Sequence, residues 1–152
     1  MATECDSCAI RKLVYRYADH IDRGDLHALA AMFSHGRIIA SDSEGRENEF
    51  VGEEAVYGLM NAFTRLYPDD GTPHTKHLTT YVMVELAEDG RTASSQAYCI
   101  VFQALPDFPL QPVIGVRYHD RFEKTEKGWR FSRRRMETDL IGDLSRHLLQ
   151  AI

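Results

Sequence analysis

Hydrophobic and polar side chains follow two different periods along this chain, and the change of period separates helices from strands. Residues 6–22 carry apolar side chains on one helical face, at Ile10, Leu13, Val14, Tyr17, Ala18 and Ile21. Gly24 is placed to end this helix in a left-handed conformation, and Asp25 to cap a short second helix that includes Phe33. A third amphipathic helix is predicted over residues 53–66.

The second half of the chain shows the two-residue period of β-strands. We predict long strands over residues 73–86, 91–104, 113–124 and 129–139, and a short strand pair over 35–51. Prolines at 106–112 indicate a loop, and residues 142–150 a short C-terminal helix. The predicted fold class is therefore α+β: a curved antiparallel sheet that packs against three helices from the N-terminal half and forms a cone. The interior of such a cone is the default binding site.

The strand at residues 73–86 carries the first candidate for chemistry. Strict alternation places five side chains on one face, His77, Thr79, Tyr81, Met83 and Glu85, and a mostly apolar set on the other. We expect the apolar face to lie in the core, so that the His77 face lines the cavity. Taken alone, His77 is either a proton-transfer group or a structural histidine.

An aspartate is available to orient this histidine. Asp22 falls in the last turn of the first helix, where the helix dipole disfavours a negative charge by about 0.3 to 1 kcal/mol. A residue placed against a local preference indicates function, although a solvated aspartate in a D-R-G-D turn is the alternative. A carboxylate bound to a histidine fixes the ring tautomer and stabilises the imidazolium, which suits proton abstraction from carbon.

Two further groups of side chains have more than one interpretation. Alternation must point at least one of Arg133, Arg134 and Arg135 inward, where it needs an anionic partner; otherwise the three form a solvated basic edge. His119 is predicted as a second ring in the cavity. His147 is assigned to the surface, together with the histidines of the first helices.

Composition limits the classes of function. With 152 residues, 43% hydrophobic and 27% charged, the chain is expected to form one domain over residues 1–152. A net charge of -5 without a basic block argues against a nucleic-acid partner. No apolar run is long enough to span a membrane and the N-terminus does not resemble a signal peptide, so we expect no membrane partner and a cytoplasmic location.

The sequence contains no recognisable cofactor or metal motif. Histidine pairs with metal-ligand spacing, a glycine-rich phosphate loop and a nucleophile elbow are all missing, so we expect chemistry without metal or cofactor. Cys5 and Cys8 form a C-x-x-C that is either a redox pair, half of a zinc site or, the interpretation we favour, two free thiols at a helix start.

Three stretches together resemble the SnoaL-like branch of the nuclear-transport-factor-2-like superfamily. They are LVYRYADHIDRGDLHALAAMF at 13–33, HTKHLTTYVMVEL at 74–86 and GVRYHDRFEKTEKGWRFSRR at 115–134, and the resemblance extends over almost the whole chain. It implies a cone-shaped, cystatin-like α+β barrel. Within the superfamily the chain is most similar to the bile acid 7α-dehydratase, scytalone dehydratase and lindane dehydrochlorinase group.

Members of that group use a histidine–aspartate dyad for cofactor-free elimination, and the resemblance carries this site over by motif. The family aspartate falls on Asp22, the histidine on His77, the arginine after the W-x-F strand start on Arg134, and the helix-one tyrosine on Tyr17. The family asparagine three residues after the histidine is Thr80 here, which departs from the pattern.

These observations predict a small lyase or isomerase. His77, polarised by Asp22, would remove an acidic carbon-bound proton from a hydrophobic ring substrate, and Arg134 or Tyr17 would stabilise the departing group or the enolate. The substrate-binding residues expected around them are Tyr81, Met83, His119 and Phe33. The alternative is a non-catalytic binding or assembly module, such as a small subunit of a ring-hydroxylating dioxygenase. The resemblance further implies a homodimer or homotrimer.

Overall fold

The structure is a computed structural model that describes residues 5–42 and 44–152. The first half of the chain contains three helices and two short strands, in the order α1 (Asp6–Asp22), α2 (Leu26–Ala31), β1 (Arg37–Ser41), β2 (Glu47–Val51) and α3 (Gly52–Phe63). Four long strands follow: β3 (Thr75–Leu86), β4 (Thr92–Leu105), β5 (Phe108–Thr125) and β6 (Gly128–Ile141). The α+β layout predicted from the sequence is confirmed.

The strands form one curved six-stranded sheet in the order β2-β1-β6-β5-β4-β3. Its pairs are antiparallel except β1 and β6, which run parallel. Helix α1 packs against β3 and β6, and α3 against α2 and the first strands. The buried core lies between helices and sheet and includes Ile10, Val14, Leu29, Phe33, Ile38, Val56, Phe122 and Phe131.

A β-bulge in β3 overturns the strict alternation predicted for this strand. Thr80 pairs with Tyr98 but Met83 pairs with Gln96, so one extra residue is inserted, and Tyr81 adopts a positive φ of 55°. An extra residue shifts every later side chain to the opposite face. His77 and Thr79 point inward with Val82 and Val84, whereas Leu78, Tyr81, Met83 and Leu86 are exposed.

A second bulge, in β6, decides which of the three arginines points inward. Arg133 pairs with Arg121, and Phe131 pairs with Phe122, so Ser132 is the extra residue between them. Strict alternation, which would place Trp129, Phe131, Arg133 and Arg135 on one face, therefore fails in this strand. Phe131 and Arg134 are the two side chains of this strand that are fully buried.

Two other boundaries differ from the predictions. Strand β5 begins at Phe108 and includes Pro109 and Pro112. The strand tolerates these prolines because β6 pairs with β5 only from Ile114 onward, so the proline-bearing end lies outside that ladder. Residues 142–150 form no helix; the segment 142–152, termed the C-terminal strap, is irregular and is hydrogen-bonded to Gln103 of β4 and to Phe63 at the end of α3.

The first two helices have N-caps at Cys5 and Asp25. Asp25 caps α2 by accepting the backbone N–H of Ala28, as predicted. Cys5 is the N-cap of α1. Cys5 and Cys8 are joined by a disulfide, so the expectation of two free thiols is wrong. Among the described residues, no helix has the length and apolar composition needed to cross a membrane.

Candidate active site

A cavity of about 530 Å³ lies between the concave face of the sheet, helices α1 and α3, and the C-terminal strap. Most of its wall is apolar and comes from Ile21, Leu59, Met60, Phe63, Val101, Ile114, Val116, Met136, Ile141, Leu148 and Ile152. The aromatic and histidine side chains that interrupt this wall are Tyr17, Tyr118, His77 and His147. A mostly apolar enclosure with a few converging polar groups is typical of a small-molecule site.

The closest polar contact in the cavity joins His77 to Asp22. Nδ1 of His77 lies 2.6 Å from Oδ1 of Asp22, and the two side chains are only 6% and 12% exposed. The backbone N–H of His77 donates to Oδ2 at 2.9 Å, and the hydroxyl of Thr75 donates to Oδ1 at 2.7 Å. The start of β3 thus holds the carboxylate at the end of α1 from three directions.

These hydrogen bonds outweigh the cost of placing a carboxylate in a partly buried position. Burial raises the pKa of Asp22. Three groups act in the opposite direction: the ring of His77 through its hydrogen bond and charge, the His77 backbone N–H, and the Thr75 hydroxyl. Together they outweigh burial, so the pKa lies below its usual value. Asp22 is therefore ionised at neutral pH. An ionised Asp22 accepts a hydrogen bond from the N–H at Nδ1 of His77, which leaves Nε2 as the basic nitrogen of the ring.

Tyr17 presents a hydroxyl with only weak acceptors around it. The hydroxyl lies 3.9 Å from the sulfurs of Met60 and Met136, and these are its hydrogen-bond acceptors. Burial raises the pKa of Tyr17 to about 12, although the charge of Arg134 acts in the opposite direction. The hydroxyl is therefore protonated and able to donate to a stronger acceptor in the cavity.

Arg134 does not reach the cavity, contrary to the prediction that it contacts substrate. Its guanidinium donates to both carboxylate oxygens of Asp120, at 2.9 and 2.7 Å, and both side chains are fully buried. Burial is the largest single influence and lowers the pKa of Arg134, but the charge and hydrogen bonds of Asp120, together with the two tyrosines, outweigh it and hold the pKa above its usual value. The guanidinium lies 4.2 Å from the centre of the Tyr17 ring and 3.9 Å from that of Tyr118, behind both rings as seen from the cavity.

The other predicted substrate-binding residues lie outside the cavity wall. Tyr81 and Met83 are exposed on the outer face of the sheet because of the β3 bulge. His119 also points outward and contacts Glu137 at 3.0 Å. Phe33 is fully buried in the core, with its ring centre 6.2 Å from that of Tyr17.

The unpredicted residues of the cavity wall include two with polar rings, Tyr118 and His147. Tyr118 precedes His119 on β5, and the alternation of buried Tyr118, Asp120 and Phe122 is the sequence signal that could have identified it. Burial raises the pKa of Tyr118 well above its usual value, so its hydroxyl is protonated too. His147 comes from the C-terminal strap and was assigned to the surface because residues 142–150 were predicted as a helix.

A group of potential metal ligands lies elsewhere. In the described ranges 5–42 and 44–152, only Asp69, Asp70 and His74 bring three such side chains together. They belong to the loop before β3, both aspartates are exposed, and none of the three lines the cavity. The loop histidine is held by Asp69 at 3.0 Å, which gives these contacts a structural role.

The comparisons with known proteins agree with this fold. An NTF2-like protein with a cystatin-like fold from Novosphingobium aromaticivorans is 22% identical, with a TM-score of 0.70 over 93% of this chain and 86% of that one. A second protein from this organism, provisionally described as a scytalone dehydratase, is 20% identical, with a TM-score of 0.65 over 89% and 85%. A third, provisionally described as an aromatic ring hydroxylase, is 26% identical, with a TM-score of 0.68 over 94% and 99%.

The profile of a protein family identifies the family of this chain. A search of curated protein sequences gave no match. The profile of the SnoaL-like domain matches residues 4–135, which include α1, β3 and β5 and hence Tyr17, Asp22, His77 and Tyr118. Because this match covers most of the 152 residues, the chain belongs to the SnoaL-like domain family.

Proposed function

We propose that this protein is a cofactor-free lyase or isomerase that removes a carbon-bound proton from a hydrophobic ring substrate. The observation that carries the proposal is the 2.6 Å contact between Asp22 and His77 in the wall of an apolar cavity. His77 is the base, Asp22 orients it, and Tyr17 donates a hydrogen bond to the oxygen that becomes negative. The reaction requires only these groups of the chain.

The protonation states support these roles. With Asp22 ionised and bound to Nδ1, the imidazolium that forms when Nε2 takes a proton remains paired with a carboxylate. Tyr17 keeps its proton at neutral pH, and its acceptors among the described residues are two sulfurs, so a developing enolate oxygen is a better partner. A buried donor that is preorganised in this way costs no rearrangement during the reaction.

The lining of the cavity supports an uncharged substrate. Among the described lining residues there is no Lys or Arg, and the two acidic ones, Asp42 and Glu137, have their carboxylates on Arg46 and the outward-facing His119. Arg134 already has Asp120 as its counter-ion. A carboxylate or phosphate group on the substrate would therefore lack a cationic partner, whereas a neutral ring ketone matches the apolar wall. The provisional description of one similar structure as a scytalone dehydratase agrees with such a substrate class.

Proton abstraction can be tested before the natural substrate is identified. The probe is 2-tetralone, a neutral ring ketone, whose exchange of α-hydrogens for deuterium in D2O is followed by NMR. We expect the wild-type protein to accelerate this exchange, and His77→Gln to lose the acceleration by about 10²- to 10⁴-fold, the usual contribution of a general base. His119→Gln, an outward-facing histidine, is the matched control and should keep it. Exchange that persists in His77→Gln, or is missing in the wild type, contradicts the proposal.

A second candidate function is an assembly or binding module, and the outer face of the sheet favours it. Leu78, Tyr81, Met83 and Tyr98 are exposed apolar or aromatic side chains there, and the rings of Tyr81 and Tyr98 are 5.5 Å apart. A similar structure is provisionally described as an aromatic ring hydroxylase. In that case His77 has a structural role. Co-purification with a larger oxygenase subunit, together with no proton exchange, would support this candidate.

A further inference from the structure

The C-terminal strap brings a second histidine to the cavity. Its backbone is anchored on both sides of His147: the carbonyl of Arg146 accepts from Gln103 at 2.9 Å and from the Tyr67 hydroxyl at 2.7 Å, and the carbonyl of Leu148 accepts from Arg65 at 2.9 Å. The ring of His147 is consequently held at the cavity wall rather than exposed on a free chain end.

His147 has no hydrogen-bond partner for its ring. The residue is 6% exposed, and neither ring nitrogen contacts a donor or acceptor among the described residues; Nδ1 is enclosed by protein, which leaves Nε2 as the ring nitrogen available to the cavity. Buried polar side chains are nearly always paired in native proteins, so an unpaired one in a cavity wall indicates a partner that arrives with a ligand. The ring centre lies 6.4 Å from that of His77.

The charge of His147 is also fixed by its surroundings. Burial and the adjacent His77 ring lower the pKa of His147 to about 4, against a smaller opposite effect of Asp22. His77 and Asp22 are the titratable groups that act on the His147 ring. At neutral pH His147 is therefore an uncharged imidazole, whose Nε2 can donate or accept one hydrogen bond according to the tautomer.

We propose that His147 is a substrate-binding residue that hydrogen-bonds a hydroxyl group of an uncharged ring substrate beside His77. The proposal rests on the function proposed above and names its substrate class, a ring compound with a hydroxyl on the carbon next to the one that loses a proton. The proton of the C–H bond passes to Nε2 of His77. The C–O bond then breaks, the departing hydroxide takes that proton and leaves as water, and a C=C bond forms.

The spacing of the two rings fits this sequence of events. A hydroxyl bound to His147 is held on the same side of the substrate as His77, because both rings belong to one cavity wall region and are separated by 6.4 Å between centres. One histidine can then serve both proton transfers, first as base and then as acid. His147 needs no proton of its own to give, which is consistent with a ring that is neutral at working pH.

Affinity for a matched pair of probes tests the proposal without turnover. The pair is 2-naphthol and naphthalene, which differ by one hydroxyl, and dissociation constants are measured at pH 7 by equilibrium dialysis. We expect the wild type to bind 2-naphthol about three- to tenfold more tightly than naphthalene, the worth of one net hydrogen bond. His147→Phe should bind both compounds equally. The control His119→Phe should keep the wild-type preference, because His119 points away from the cavity.

Other outcomes overturn the proposal. A preference for 2-naphthol that persists in His147→Phe assigns the hydroxyl to another residue, and no binding of either compound to the wild type rules out a cavity that admits a ring alcohol. His147→Leu is a second apolar variant and should lose the preference in the same way. A protein that binds 2-naphthol through His147 but fails to exchange the α-hydrogens of 2-tetralone would contradict the proposed proton abstraction alone.

Discussion

Arg134 and Asp120 form a two-point salt bridge in which both side chains are fully buried, with contacts of 2.9 and 2.7 Å. The pair does not line the cavity. It supports the two cavity tyrosines from behind, since the guanidinium lies against both rings. An arginine that resembles a family site residue therefore acts here on the rings that face the substrate, and its first effect is on stability.

Asp120→Asn should be strongly destabilising. The change leaves the Arg134 guanidinium buried without a counter-charge, which costs roughly 3–5 kcal/mol of the free energy of unfolding. Urea unfolding followed by circular dichroism measures this loss. The control is Glu49→Gln, which removes the exposed partner of Arg37 and should cost less than about 1 kcal/mol. Similar small losses in the two variants would show that the buried pair is not a structural requirement.

Asp22→Asn tests whether the carboxylate sets the state of the His77 ring. In the wild type, ¹H–¹⁵N spectra should show His77 with its proton on Nδ1, because the carboxylate oxygen 2.6 Å away can only accept. The variant should lose this single tautomer and slow the α-hydrogen exchange of 2-tetralone by about a hundredfold or more. Asp19→Asn, on the exposed face of the same helix, should change neither. An unchanged tautomer in Asp22→Asn would contradict the orienting role.

Tyr17→Phe should reduce catalysis while leaving the fold intact. The hydroxyl has only two sulfur acceptors at 3.9 Å, so its removal costs little stability. If it donates to the enolate oxygen, its loss should slow the exchange of 2-tetralone by about 10²- to 10³-fold. Tyr15→Phe is the matched control, on the same helix but half exposed. Equal rates for the two variants would remove Tyr17 from the mechanism.

The parts of the fold that depend on local sequence could be predicted. The three-to-four spacing of Ile10, Val14 and Tyr17 and the glycine at position 24, which has a φ of 72°, determine where α1 lies and ends. The resemblance to a known family paired Asp22, at the end of α1, with His77, near the start of β3 at Thr75, and the two side chains are in contact.

The parts of the fold that depend on pairing between strands could not be predicted from the sequence. The bulges in β3 and β6 each insert one residue, and the insertion is visible only in the register against the neighbouring strand. Strict alternation therefore assigned Tyr81 and Met83 to the cavity and could not decide which of Arg133, Arg134 and Arg135 points inward. His147 was missed for a related reason, because the strap that carries it is held by contacts with residues distant in sequence such as Gln103.

Gln103→Leu should loosen the C-terminal strap. The buried amide of Gln103 donates to the carbonyls of Pro73 and Arg146, so an apolar side chain leaves both with fewer partners. We expect faster hydrogen exchange in residues 142–152 and a loss of about 1–3 kcal/mol in the free energy of unfolding. Gln111→Leu is the control, because its amide contacts only an exposed carbonyl two residues away. Unchanged exchange in the strap of Gln103→Leu would show that other contacts suffice to hold it.

His147 should make the protein less stable as the pH falls through weakly acidic values. Its folded-state pKa of about 4 lies below the value of about 6.5 expected in the unfolded chain, so between these values the unfolded state binds more protons. The contribution is fully present above about pH 6.5 and is lost progressively toward pH 4, at roughly 1.4 kcal/mol per unit of pKa difference as an upper limit. His147→Phe removes the titrating ring, and its free energy of unfolding should therefore fall less between pH 7 and pH 4.5 than that of the wild type. His119→Phe, which removes a partly exposed ring, should follow the wild-type curve. If the curves of wild type and His147→Phe are parallel over this range, His147 is not the buried neutral histidine that the cavity geometry requires.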